Sequence, residues 1–243
     1  MDFTLANWIT SFNWNKKGKT MINKLRSNNQ IIGGISAIIE ACLYVFGFTI
    51  LFSILQPTID ETKSGLDKLK FIIDNKTIYQ TWILLIYVLF GIVLVPLTVS
   101  LNENFKEHNT IWSKITPVFG FIWAGLVIAS GMIGVIGIDS VLTIYNLDSN
   151  AALTCWKTIE AIQNGLGGGV EIIGGLWVFL ISLVGLKQNV FNKFLNYFGL
   201  IVGCAGIMTI IPGLNDLGAV FGLTQIVWFI WIGIAMIKNG RKP

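Results

Sequence analysis

Charge is what this sequence has least of. Asp, Glu, Lys and Arg make up 12% of its 243 residues, against 53% hydrophobic residues and a mean hydropathy of +0.70. Soluble domains carry about twice that share of charge. A water-soluble fold of this size would have too little charged surface to cover its core, and hydrocarbon is the solvent that tolerates such a chain. The net charge of +4 is spread as single Lys and Arg residues between apolar runs. No contiguous basic face exists to track a phosphate backbone, which excludes a nucleic-acid partner. Scattered basic residues suit an anionic membrane surface instead, so the first partner expected is the lipid bilayer.

Histidine is nearly absent, with His108 the single copy, lying after Glu107 in a polar connection. A Ser–His dyad inside the membrane, a multi-His zinc site and bis-His haem ligation are therefore excluded. No lysine falls within a long apolar run, so a retinal Schiff base has no amine. P-loop, GxGxxG and CaaX patterns are missing as well. The three cysteines, Cys42, Cys155 and Cys204, are far apart, without CxxC or Cys/His spacing. The first and third are expected to serve as small core residues. Together these absences predict a protein that is not an enzyme and needs no cofactor and no metal.

The N-terminus does not have the order of a secretory signal. Phe3, Leu5, Trp8, Ile9 and Phe12 come before Lys16, Lys17 and Lys19, and the apolar part is too short to span. Residues 1–29 read as a cytoplasmic arm, either a helix lying at the lipid surface or a frayed tail.

Long apolar runs are what the chain has in abundance. A crossing takes about 20 apolar residues in a helix. Six runs qualify: Ile31–Leu55, Thr81–Leu101, Val118–Ile138, Leu166–Leu186, Phe194–Ile211 and Leu217–Ile237. The fifth is the shortest and ends at Pro212. The fold class expected is all-α: a polytopic bundle of six transmembrane helices over residues 30–238, followed by a short basic tail, 239–243. Barrel alternation at period 2 is absent. Lys and Arg divide unequally between alternate connections, twelve on the side of the termini and five on the other. The positive-inside rule then places both termini in the cytoplasm. Two connections on the opposite side carry apolar residues at a helical period, Leu66, Leu69, Ile72 and Ile73 in one and Leu153, Trp156, Ile159 and Ile162 in the other. Both are expected as amphipathic helices on the outer rim. Trp82, Trp112, Trp156, Tyr145, Tyr197 and Trp231 fall near run ends as interface anchors, whereas Trp123 and Trp177 fall deeper.

Two carboxylates interrupt the runs, and an ionisable group in lipid is a functional candidate by default. Glu40 lies near mid-depth of the first run, with Ser36 and Tyr44 one turn to either side on the same face. The stripe reads as a proton or cation site, or as a neutral acid that fixes helix packing. Glu171 sits inside Gly167-Gly168-Gly169-Val170-Glu171-Ile172-Ile173-Gly174-Gly175. Such glycines either break the helix to expose carbonyls or let helices approach closely. Gly168, Gly174, Gly175, Gly199 and Gly203 are the expected packing positions. Asp139, Glu171 and Asp216, with Gln163, Asn164 and Asn215 near them in depth, could form an acidic vestibule above Glu40; alternatively Asp139 and Asp216 sit in headgroup water.

The strings Gly34-Ile35-Ser36-Ala37-Ile38-Ile39-Glu40-Ala41 and Ile122-Trp123-Ala124-Gly125-Leu126-Val127-Ile128-Ala129-Ser130-Gly131-Met132, with the glycine run through Glu171 to Trp177, resemble uncharacterised bacterial multipass membrane proteins known as a domain of unknown function. The resemblance covers roughly Gln30 to Ile237 and implies a bacterial inner membrane, with no site residues to carry over. Two functions fit the residues. One is binding or translocation of a small cation, proton or amphipathic solute at Glu40, Ser36, Tyr44, Asp139 and Glu171. The other is a non-catalytic scaffold or sensor subunit that pairs through Gly-rich faces, and homo-oligomerisation stays open under both.

Overall fold

The structure is a computed structural model that describes residues 4–105, 110–168, 171–214 and 216–241. His108, Lys106, Asn215 and Lys242 lie outside the described residues. Among those described there is no strand. The elements run α1 (Thr4–Ser53), α2 (Gln56–Ile59), α3 (Gly65–Asp74), α4 (Lys76–Ile83), a π-helical turn (Leu84–Leu89), α5 (Phe90–Asn102), α6 (Ile111–Tyr145), α7 (Ser149–Gln163), a second π-helical turn (Asn164–Gly168), α8 (Ile172–Gln188), α9 (Lys193–Met208) and α10 (Leu217–Gly240).

Polar side chains start several of these helices by accepting from otherwise unpaired amides. Ser64 Oγ accepts from Asp67 N at 3.2 Å, Thr110 Oγ1 from Ser113 N at 3.2 Å, and Asn192 Oδ1 from Phe194 N at 2.8 Å. Asp148 Oδ1 accepts from Asn150 N at 2.8 Å and Ala151 N at 3.1 Å. In between, the helices satisfy their own backbone, as hydrocarbon demands.

Five helical stretches are long and apolar enough to cross a membrane: Lys24–Ser53, Lys76–Asn102, Ile111–Tyr145, Ser149–Gln188 and Leu217–Gly240. The sixth expected span, α9, has 16 residues, about 24 Å of helix against a hydrocarbon thickness of about 30 Å. Large apolar side chains face outward all around the bundle: Phe52, Ile136 and Ile201 are 62%, 62% and 66% exposed. Exposure on that scale, on helices with apolar cores of their own, marks a lipid-facing belt.

α1 lies antiparallel to α10 and also packs on α5, α8 forms a hairpin with α9, and α6 joins α5 to α8. Trp123, Trp177, Trp228, Phe229 and Phe90 close a ring of edge-on and tilted aromatics at the centre, with centroid separations from 5.3 to 6.2 Å. A polar lock joins α1 to α5 and α10 near the chain termini. Gln30 Nε2 donates to Ser100 O at 2.9 Å, Asn104 Nδ2 to Gln30 Oε1 at 2.9 Å, and Ser27 Oγ to Gly240 O.

Several expectations are corrected. α1 is one helix of 50 residues, so the arm and the first apolar run share a single helix. α6, at 35 residues or about 52 Å, projects past the hydrocarbon. α7 runs back along this projection and joins α8 through the π-helical turn. With α3, these turns enclose a satellite core of Leu69, Ile72, Ile138, Val141, Ala152 and Trp156. Both amphipathic helices therefore form, but Trp156 is 3% exposed and packs edge-on against Tyr79, so it is no interface anchor. Cys42 and Cys204 face outward, not into the core. The buried phases of α1 and α9 fall on their neighbours Ala41, Leu43, Val202 and Gly203.

Candidate functional site

A cavity of about 360 Å³ opens at the end of the bundle away from the termini, among α1, the first π-helical turn, α6, the start of α8 and the start of α10. Its walls are aromatic: Tyr44, Phe48, Trp82, Tyr87, Phe90, Trp123 and Phe221. Among the described lining residues Glu171 is the one carboxylate, and none carries a positive charge.

Local irregularities build this space. The π-helical turn Leu84–Leu89 shifts Ile86 and Tyr87 inward, and such turns recur at functional sites because they re-aim side chains. Trp82 Nε1 donates to Gly47 O at 3.0 Å, tying that wall to α1. Opposite, Gly167 adopts φ +108°, open to glycine because it lacks a Cβ. A Cβ on Gly168 would come within 3.1 Å of the Tyr87 hydroxyl oxygen. Gln163 Nε2 donates to Ser130 O at 3.1 Å and Ser130 Oγ to Gln163 O at 3.3 Å, pinning the end of α7 to α6.

Glu171 is placed by its own backbone. Its amide donates to Thr209 Oγ1 at 2.8 Å, and Thr209 Oγ1 donates in turn to Gly206 O at 2.7 Å. The start of α8 is thereby fastened to the end of α9. The carboxylate occupies the N-terminal end of α8, where the helix dipole favours negative charge. Tyr44 and Tyr87 share the wall of the cavity with Glu171.

Glu40 is not a wall of the cavity. It is fully buried beyond Tyr44, and neither carboxyl oxygen has a hydrogen-bond partner among the described residues. Ser36, one turn further from the cavity, is buried too. Asp139 stands apart at the surface, in an ion pair with Lys76 at 2.5 Å and accepting from Gln80 Nε2 at 3.3 Å. The vestibule expected from the acids therefore gathers only Glu171; Asp139 and Asp216 are exposed.

The glycine seam lies inside the chain. A Cβ on Gly175 would meet Ile207 N at 2.6 Å and Gly203 O at 2.7 Å, and one on Gly203 would meet the Phe179 amide nitrogen at 2.7 Å. Gly174 is covered by the Trp123 ring, while Gly199 faces Ser182 and Trp228. Gly168 lies outside this seam, against the cavity. Three residues that sequence reasoning passed over are Tyr87, Trp228 and Gln225. None is charged, and charge is the strongest signal that singles a residue out of an apolar run. Gln225 was nonetheless visible as the one amide between Leu217 and Ile237.

An all-helical bundle with a lipid-facing belt and five helices able to cross defines a multi-pass membrane protein. The chain belongs to the family DUF4386, a domain of unknown function, which matches residues 32–237. No curated protein and no solved structure matches it.

Proposed function

We propose that this protein binds an amphipathic organic cation in the aromatic cavity and passes it through the membrane. In this reading the chain crosses a bacterial inner membrane six times, with both termini cytoplasmic. The observation that carries the ligand class is the wall composition: seven aromatic rings and one carboxylate, with no positive charge among the described lining residues to oppose a cation. Aromatic faces attract cations by their quadrupoles, about 0.5 to 2 kcal/mol each as solvent is excluded. Glu171 supplies the counter-charge that orients the ligand, and the apolar surface accepts its hydrocarbon part. The unequal Lys and Arg count supports the orientation.

Tetraphenylphosphonium and tetraphenylborate share a shape and differ in charge, so they isolate the role of Glu171. Purified protein in detergent should bind the cation and discriminate against the anion, followed by quenching of tryptophan fluorescence. Glu171→Gln should weaken cation binding at least tenfold, about 1.4 kcal/mol, with Glu171→Asp in between. Equal affinity for the two probes, or a Glu171→Gln variant within twofold of the parent, defeats the reading.

A further inference from the structure

Side-chain oxygen reaches the cavity wall from three elements: Tyr44 on α1, Tyr87 in the first π-helical turn and Glu171 at the start of α8. None of these three side chains makes a hydrogen bond among the described residues, and Glu171 bonds only through its backbone amide. The indole donors of the wall are withdrawn. Trp82 Nε1 is occupied by Gly47 O at 3.0 Å, and Trp123 Nε1 is fully buried, away from the open space. The side chains therefore offer the cavity hydrogen-bond acceptors and aromatic faces.

Close packing fixes where these oxygens stand. The Tyr87 hydroxyl oxygen is 3.1 Å from the Cβ position of Gly168, on the segment that leads into Glu171. Tyr44 Cε1, beside the hydroxyl-bearing carbon, is 3.4 Å from the Cβ position of Gly222. Its ring stands edge-on to Phe90 with centroids 5.4 Å apart, and Phe90 stands edge-on to Trp123 at 5.3 Å. Trp123 in turn covers Gly174, one turn after Glu171. Phe90 and Trp123, both buried, form the floor of the cavity, and the three oxygens belong to the wall around it.

Hydroxyls without a protein partner are costly in an apolar run, and phenylalanine would fill the same wall without them. A carboxylate only accepts, and a phenol can accept while its own O–H turns to cavity water. A cation that carries N–H groups can use all three oxygens. A quaternary cation uses the charge and the aromatic faces but leaves both hydroxyls unmade. Given the cation-binding role proposed for the cavity, on which this selectivity rests, we infer that it selects protonated primary or secondary amines with a bulky apolar body over quaternary cations of the same shape. Tyr44 and Tyr87 set the preference. Aromatic walls alone would favour the quaternary cation, because an ammonium group is the more strongly hydrated and loses more on leaving water. The sign of the preference thus reports on the hydroxyls.

1-Adamantylammonium and 1-adamantyltrimethylammonium share one cage and one positive charge at pH 7, and only the first has N–H groups. Titration calorimetry of the full chain in detergent should show the ammonium binding about tenfold more tightly. Tyr44→Phe and Tyr87→Phe should each weaken the ammonium more than the trimethylated cage, and the double variant should erase or reverse the ratio. The parent's own ratio decides the ligand class even where a variant does not fold. A parent that binds tetraphenylphosphonium but takes the trimethylated cage equally or more tightly overturns the amine preference while the cavity reading stands. A ratio that persists in the folded double variant overturns the role given to the two tyrosines. A parent that binds none of the three cations overturns the cavity reading and the preference with it.

Discussion

Backbone, not side chain, surrounds Gly175. A methyl group there would press on Ile207 N and Gly203 O, atoms that cannot move without separating α8 from α9. Gly125, by contrast, has nothing within 4 Å of its Cβ position. Substituting each by Ala should therefore act in opposite directions. Gly175→Ala should cost about 1 to 3 kcal/mol through overpacking, whereas Gly125→Ala should gain about 0.5 to 1 kcal/mol by restricting the unfolded chain. Thermal unfolding in detergent, followed by tryptophan fluorescence, distinguishes the two. Asp139 makes the converse point about charge. Its pair with Lys76 is solvated, and water and salt screen pairs of that kind so that they add little. Asp139→Asn should leave tetraphenylphosphonium affinity within twofold, and a larger loss would place Asp139 in the cavity's field after all.

Among elements, the breaks matter as much as the helices. α8 ends on Asn189 at φ 54°, with its amide donating to the Leu186 carbonyl. Glycine reaches that left-handed conformation at less cost than Asn. Asn189→Gly should raise the unfolding midpoint slightly and Asn189→Val should lower it, by about 1 kcal/mol in the latter case. The interruption between α7 and α8 and the π-helical turn before α5 face each other across the cavity. Both look like defects when helices are judged one at a time. Together they hold Tyr87, Gly168 and Glu171 around one space. Straightening the second turn with Gly167→Ala, a residue whose φ of +108° disfavours any Cβ, should reduce probe affinity more than it reduces stability; paired binding and melting curves measure both.

For the whole molecule, the open quantity is how many times the chain crosses. α9 alone is short for a bilayer, yet it packs along the full length of α8 and continues through Thr209, Ile210 and Ile211 before Pro212. With the native cysteines replaced, single cysteines at Lys193 and Pro212 should be labelled by a membrane-impermeant maleimide from opposite sides. Pro212 should react in intact cells together with Thr62, and Lys193 only after lysis together with Lys238. Labelling of Lys193 and Pro212 from one side reduces the crossings to five or fewer and moves the C-terminus to the other face.

Composition and hydropathy alone settled the class, because lipid admits only chains whose apolar runs are long enough to bury a helical backbone. The same reasoning located both amphipathic rim helices, since the apolar periods of Leu66–Ile73 and Leu153–Ile162 act within one or two turns. Glu40 and Glu171 were legible for a similar local reason: a carboxylate in such a run stands out wherever it ends up. Which residues share a cavity was not local. Glu171 meets Tyr44 and Tyr87 because two helix irregularities and the α1–α10 crossing converge there, and Asp139, similar in depth, is turned to solvent by the pitch of α6. Side-chain partners of this kind depend on the angles and separations of packed helices, which one-dimensional spacing does not contain.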